Sequence, residues 1–179
     1  MKASLTRFLE VRLKLKVNEA KSAVAQPWQR KFLGFSFITI GKLRRRIAPQ
    51  SLIRFKQRVR ELTSRTQGRA LSEVIERLAV YLRGWRGYFG FCETPSVLRH
   101  LDQWIRRRLR SLVWKQWQRG RRRYAALVAR GVGRDLAAQT AGSAHGPWRV
   151  AVSPALHLAL PTTLFVTLGL PRLHGASPT

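Results

Sequence analysis

Residues 94–123 read TPSVLRHLDQWIRRRLRSLVWKQWQRGRRR, and this stretch decides the fold. Thr94 before Pro95 is a helix start: a hydroxyl able to cap, then a residue that needs no amide donor at the first helical position. Leu98, Leu101, Ile105, Leu109 and Leu112 recur at spacings of three and four, which predicts one apolar helix face. On a 3.6-residue wheel Arg99, Arg106, Arg107 and Arg110 fall on the sides and back of that face, with Trp114 among them. The spacing places Leu101, Ile105 and Leu109 in a core and turns Arg107, Arg110 and Lys115 outward. An apolar face opposite an Arg-rich, Trp-bearing one suits a polyanion that offers both phosphates and flat bases.

The whole chain repeats this bias. Its 179 residues include 35 Lys or Arg against 8 Asp or Glu, a formal charge of +27. Like charges repel across a compact state, so the imbalance implies an anionic partner. Nucleic acid is the first candidate and an anionic membrane surface the second. Hydrophobic residues make up 45% and are patterned, which excludes a disordered basic tail. Residues 42–123 carry 23 basic and 5 acidic side chains, residues 124–179 only 4 and 1. The middle is therefore expected to make the contact and the C-terminal part to support it. Arg outnumbers Lys, and the guanidinium fork suits bidentate phosphate contacts. A GC-rich genome explains Arg over Lys, but not basic over acidic.

Other chemistries find little material. Cys92 is alone, so no internal disulfide forms, and with scattered His100, His145, His157 and His174 it makes no zinc set. Cys92 reads as a plain buried thiol or, near a helix start, a reactive one. The N-terminus lacks the apolar core of a signal peptide. Residues 150–171 carry no formal charge, Arg149 lying just before and Arg172 just beyond, yet Pro154, Pro161 and several polar residues break them into short runs unsuited to a membrane span.

Along the chain, residues 5–13 read as the end of a helix, 13–17 and 22–24 as short strands, and FLGFSFITI (32–40) as a strand bent at Gly34. GKLRRR (41–46) is a basic turn or strand. A helix from Pro49 carries Leu52, Phe55, Val59 and Leu62 on one side and Arg54, Arg58 and Arg65 on the other, and ends at Thr66-Gln67-Gly68. A third stripe, Leu71, Val74, Leu78, Leu82, Trp85 and Phe89, runs straight through Gly84, Gly87 and Gly90. The helix is expected to continue there at a cost of about 1 kcal/mol per glycine. Glu73 and Glu76 sit near its positive end, where carboxylates are favourable. Short helices follow at 124–130 and 134–141, ended by Gly131 and Gly142.

The order of these pieces resembles the C-terminal part of the group II intron-encoded reverse transcriptase/maturase family. The resemblance rests on LKVNEAKS (15–22), FLGF (32–35), YLRGW (81–85) with YFG (88–90), LDQWIRRRLR (101–110), WKQW (114–117), and WR (148–149) with SPAL (153–156). It implies a mostly α fold: a helical thumb/maturase domain preceded by a small β-containing remnant of a polymerase palm. Residues 1–41 would be that remnant, 42–123 the RNA-binding thumb (domain X), and 124–179 its short C-terminal helices. It implies group II intron RNA as partner and support of its splicing as function, in the cytoplasm of a bacterium. Intron-target DNA and a separate polymerase fragment are further implied partners; no cofactor, metal or membrane is.

Departures from the family bear on activity. The family's polymerase uses a Tyr-Ala-Asp-Asp turn to hold two metal ions, and the sequence has none, nor a His-Asn-His endonuclease segment. The chain looks like a truncated open reading frame, so no catalytic residue is expected. The rivals are a fragment of an RNA-directed DNA polymerase, a non-functional relic, and a general basic RNA or DNA binder. The expected RNA-binding set is Arg44, Arg45, Arg46, Arg54, Arg58, Arg106, Arg107, Arg110, Trp114, Lys115, Arg119, Arg121, Arg122 and Arg123. Arg108 belongs to the same basic run. Trp85 and Phe89 fall on the apolar stripe and Trp104 on its shoulder, so all three read as core. Trp114 fits base stacking and packing against the following helices equally well.

Overall fold

The helix expected from residue 95 is the longest in the structure, a computed structural model that describes residues 2–18, 25–26, 30–64 and 68–175. Its backbone divides into two units, Met1–Ala48 and Pro49–Thr179.

The first unit holds α1 (Lys2–Val11) and a three-stranded antiparallel sheet of β1 (Lys31–Phe32), β2 (Phe35–Ile40) and β3 (Lys42–Ile47), ordered β1-β2-β3. FLGFSFITI is therefore not one bent strand. Leu33 and Gly34 both take positive φ (48° and 77°), the requirement of a two-residue hairpin turn, and Phe32 pairs with Phe35 across it. GKLRRR resolves as strand: β3 pairs with β2 from Ile40↔Lys42 to Phe35↔Ile47, which puts residues 42–47 in the first unit. The strand expected at 13–17 does not form. Lys14 takes a φ of 54°, which interrupts an extended run, and the Leu15 amide donates back to the Leu9 carbonyl. The strand expected at 22–24 lies outside the described residues.

The second unit is helical: α2 (Pro49–Leu62), α3 (Leu71–Phe89), α4 (Pro95–Gln116), α5 (Gly120–Val128), α6 (Arg134–Ala141), α7 (Pro147–Val150), α8 (Pro154–Ala159) and α9 (Thr162–Thr167). Phe55 and Val59 of α2 are buried, and Phe55 meets Trp85 of α3 with ring centroids 4.3 Å apart. α2 ends at Leu62, before the expected stop: the Thr63 amide and hydroxyl still donate to the Val59 carbonyl (3.0 and 2.6 Å), but the Ser64 amide turns to the Glu61 carbonyl (3.3 Å). Arg65, Thr66 and Gln67 lie outside the described residues. α3 runs through Gly84 and Gly87 and stops at Gly90, where an added Cβ would sit 2.6 Å from the Arg86 carbonyl oxygen.

α4 is the spine of this unit. Leu98, Leu101, Ile105, Leu109 and Leu112 are buried as their spacing requires. From Leu109 to Trp114 every residue is buried, the pattern of a helix enclosed on all sides. Thr94 precedes Pro95 as expected, but its hydroxyl makes no capping bond. Asp102, the one acid on α4, is also buried and accepts the amides of Leu173 and His174 (3.0 and 3.1 Å), which ties the C-terminal segment to the spine. α4 ends at Gln116; Gln118 turns the chain with a φ of 49°, and the basic run that follows opens α5. The expected helix at 124–130 thus begins four residues earlier, at Gly120.

The C-terminal helices are short because proline and glycine punctuate them. Pro147 and Pro154 start α7 and α8, and the Ser153 hydroxyl accepts the Leu156 amide. α6 occupies 134–141 with Gly142 after it, as expected. α7 packs on α4, and α5, α6 and α8 pack on one another around Leu127, Ala137 and Leu156. No described helix is long and apolar enough to cross a membrane.

Replacing Ile105, 1% exposed at the centre of α4, with Asp places an unpaired carboxylate in an apolar interior at a cost of several kcal/mol. Total stability is of the order of 5–15 kcal/mol, so the variant is expected to lose its cooperative thermal transition by circular dichroism.

Candidate nucleic-acid interface

With so few carboxylates, the cations of α4 take other partners. Arg107 donates through Nε and Nη2 to the Trp148 carbonyl (3.1 and 3.0 Å), and its guanidinium lies 4.1 Å from the Trp148 ring centroid. Arg108 donates to the Thr63 hydroxyl (2.8 Å) and the Arg60 carbonyl (3.5 Å) and lies 5.4 Å from the Trp104 ring. Arg110 donates to the Leu160 carbonyl (3.0 Å) and lies 5.7 Å from the Phe165 ring. Gln116 reaches the Arg69 carbonyl. These bonds tie α4 to α2, to α7, to the α8–α9 junction and to the lead-in of α3.

Two grooves open on this face, and Trp104 and Trp148 line both. The smaller, about 350 Å³, lies between α2, α4 and α7, with Arg60, Thr63 and Arg108 in its wall. Trp104 is half-buried and meets three cations: Lys56 at 6.0 Å, Arg60 at 5.8 Å and Arg108 at 5.4 Å. The larger, about 500 Å³, lies between α4, α7, α8 and the start of α9, with Arg106, Arg107, Arg110 and His157 in its wall. Burial, then Arg110 and Arg106, hold His157 below the usual histidine range. Burial and Arg106 lower Arg110 in the same sense. Clustered cations beside aromatic rings suit phosphates and stacked bases together.

A second basic cluster sits at the corner between α4 and α5. Lys115, Arg119, Arg121 and Arg122 are all exposed. Arg121 and Arg122 occupy the first turn of α5, where the helix dipole disfavours cations. Arg123 is half-buried and lies over the Trp114 ring at 4.6 Å; Arg130 lies over Trp117 at 5.1 Å.

Arg44, Arg45 and Arg46 are exposed on β3, in the first unit. Alternation along a strand sends Arg44 and Arg46 to one face and Arg45 to the other, so the three do not form a single patch. Arg46 donates to the Ser36 hydroxyl (3.1 Å). On α2, Arg54 is exposed and Arg58 pairs with Glu61 at 2.8 Å.

Two residues of the expected set need correction as surface residues. Arg110 is 7% exposed and Trp114 fully buried, so neither faces outward. Both sit where the later helices close over α4, a contact that the wheel of α4 alone does not contain. Lys56, Arg60 and Trp148 were missed as site residues. Lys56 and Arg60 lie four apart on α2, a spacing that marks a shared face, but Trp148 joins them only through folding. Trp104, expected in the core, stands between the two grooves. Trp85 is buried and Phe89 half-buried, and Cys92 is a buried thiol. Glu73 pairs with Arg69 and Arg77, at 3.3 and 3.2 Å. Among the described residues no cluster of His, Cys, Asp or Glu could hold a metal ion.

Residues 52–130 match the family model of the group II intron, maturase-specific domain. This segment runs from α2 to the end of α5 and contains the whole of α4. It carries the signature of a maturase domain. No curated protein matches the chain.

The burial of Arg110 separates it from Lys115 in any stability measurement. Arg110→Ala strands the Leu160 carbonyl and is expected to cost about 1–3 kcal/mol in urea denaturation. Lys115→Ala, at an exposed site, is expected to change stability by less than about 0.5 kcal/mol. Trp114→Ala is expected to cost about 3–5 kcal/mol, as a large buried side chain does.

Proposed function

We propose that the chain binds structured group II intron RNA and assists its splicing, in the cytoplasm of a bacterium. The observation that carries this reading is that the segment matching the maturase-specific domain contains the helix whose cations stand beside Trp104 and, through α7, Trp148. RNA folding into a compact catalytic form brings its own phosphates together. A protein with a net charge of +27 offsets that repulsion, and half-exposed rings hold unpaired bases. Lys56, Arg60, Arg106, Arg107, Lys115, Arg119, Arg121 and Arg122 take the phosphates, and Trp104 and Trp148 supply stacking surfaces. Arg54 adds an exposed cation on α2, and Arg44, Arg45 and Arg46 are exposed cations of the first unit. Double-stranded intron-target DNA is a second polyanion that the same cations fit.

The chain itself supplies no catalytic group in this reading. Nucleotide transfer by a polymerase needs carboxylates to fix two metal ions, and the sequence contains no Tyr-Ala-Asp-Asp. A second reading, a fragment of an RNA-directed DNA polymerase, is favoured by one feature of the first unit. Leu5, Phe8 and Val11 of α1, with Leu13 and Leu15 after it, are each more than half exposed. Apolar side chains left uncovered in this way support association with a separate polymerase fragment.

Intron RNA affinity is expected to fall steeply with salt. Neutralising six to ten phosphates gives a slope of log K against log salt of roughly −4 to −9. Replacing Lys115, Arg119 and Arg121 together with Ala is expected to flatten that slope by up to about three units without lowering the melting temperature. A wild-type slope shallower than about −2, or equal competition by unrelated RNA, would count against the reading.

Purified chain supplied with primer-template, dNTPs and Mg²⁺ or Mn²⁺ is expected to incorporate no nucleotide. Template-dependent incorporation would overturn the non-catalytic assignment.

A further inference from the structure

The larger groove has a feature that general attraction for RNA does not require. Arg110 is 93% hidden from solvent by its own fold, yet among the described residues no carboxylate pairs with it, and none lines the groove. Its Nε is taken by the Leu160 carbonyl, a neutral partner. Buried charges are ordinarily paired, because desolvating an isolated ion is costly. Here the neighbours make matters worse: Arg106, Arg107 and His157 face the same space of about 500 Å³. The fork of Arg107 is held in place by the Trp148 carbonyl and ring, so part of the site is built before any ligand arrives.

We infer that the groove between α4, α7 and α8 is a pocket for one phosphate group, filled by a phosphodiester of the bound RNA and closed by Arg106, Arg107, Arg110 and His157. The inference rests on the RNA-binding reading and names a single site within it. A dianionic or monoanionic oxyanion supplies the countercharge that Arg110 lacks. It also reverses the field on His157. In the empty groove, partial burial, then Arg110 and Arg106, lower the His157 pKa. Once a phosphate enters, the imidazolium is stabilised, so His157 takes up a proton from solvent. The remaining charged or titratable lining groups are His100, Arg106, Arg107 and Arg110, all on α4; α7, the turn at Val152 and α9 add only Trp148, Val152 and Thr162. Among the described residues no acid lines the groove; Asp102 of α4 accepts the Leu173 and His174 amides instead.

The sign of the pH dependence follows. The His157 pKa is low when the pocket is empty and higher when it is filled. Binding is therefore tightest below the empty-state value and weakens as pH rises through the filled-state value. One linked proton changes affinity by up to about tenfold per pH unit.

The test uses the full chain and sulfate, whose charge does not change between about pH 5 and 8, the window in which histidine titrates. Imidazole resonances of His157 are followed by NMR against pH, with exposed His145 as the reference. Sulfate is expected to raise the titration midpoint of His157 and leave His145 in place, and Arg106→Gln to abolish the difference. Intron RNA is expected to raise the same midpoint. RNA affinity is expected to fall as pH rises and to become flat in His157→Gln, a substitution at an exposed site. An unmoved His157, or equal movement of His157 and His145, would overturn the pocket. If sulfate moves His157 but bound RNA does not, the pocket takes a free anion and the phosphodiester assignment fails. If RNA binds with the same pH profile in wild type and His157→Gln, the proton-coupled site fails while the RNA reading stands. If no RNA binds, the wider reading fails and the phosphodiester assignment with it.

Discussion

Thirty-five cationic side chains share eight carboxylates, and the second unit is built around that shortage. Its key arginines bond to backbone carbonyls or a hydroxyl and lie over aromatic rings, and among the described residues no acid pairs with Arg107 or Arg110. Arg107 holds the carbonyl and ring of Trp148, Arg108 the Thr63 hydroxyl beside Trp104, and Arg110 the Leu160 carbonyl. A hydrogen bond from a charged donor is worth about 1.5–3 kcal/mol, against about 0–1 kcal/mol for an exposed ion pair. Each of these bonds spans more than 40 residues of sequence, so three side chains of one helix close the C-terminal segments and α2 onto α4. Asp102, the exception, uses its charge in the same way, on two backbone amides rather than on a cation.

This bonding has a functional consequence. A carbonyl satisfies a guanidinium's hydrogen-bonding geometry but leaves its charge standing. The fold is therefore held by groups that still attract anions. In the proposed reading, structural and binding roles fall on neighbouring positions of one helix. Arg110 is enclosed, Arg106 and Arg107 are half-enclosed at the groove, and Lys115 is exposed at the end. The cluster at the start of α5 works against the helix dipole, and an anionic partner relieves both that strain and the repulsion between its members.

Much of the fold was legible in periodicity. The stripes of α2, α3 and α4 have helical spacing, Pro49 and Pro95 open their helices, and Gly142 follows α6 where expected. The passage of α3 through Gly84 and Gly87 could be read because the apolar stripe never loses register. Less was legible where one or two backbone torsions decide. Leu33 at positive φ turns an apparent strand into a hairpin, and Gln118 at positive φ separates α4 from α5, although neither residue is a usual turn former. The alternation at 13–17 looked like a strand, but alternation marks a strand only when a neighbour pairs with it.

The sequence by itself determined the helical class, the basic character of residues 42–123, the apolar face of α4, and the motifs of a maturase-like segment, because composition and spacing are local properties of the chain. Only the tertiary structure decided which cations remain at the surface. Arg106, Arg107 and Arg110 look alike on the wheel of a lone helix. They become different when Leu160, Trp148 and His157 arrive from 38 to 54 residues away and enclose one, pin another and leave the third facing a groove. For the same reason Trp114, which fitted either role, is core, whereas Trp148 is exposed. Whether an aromatic ring is core or surface depends on what packs over it, and that partner is distant in sequence.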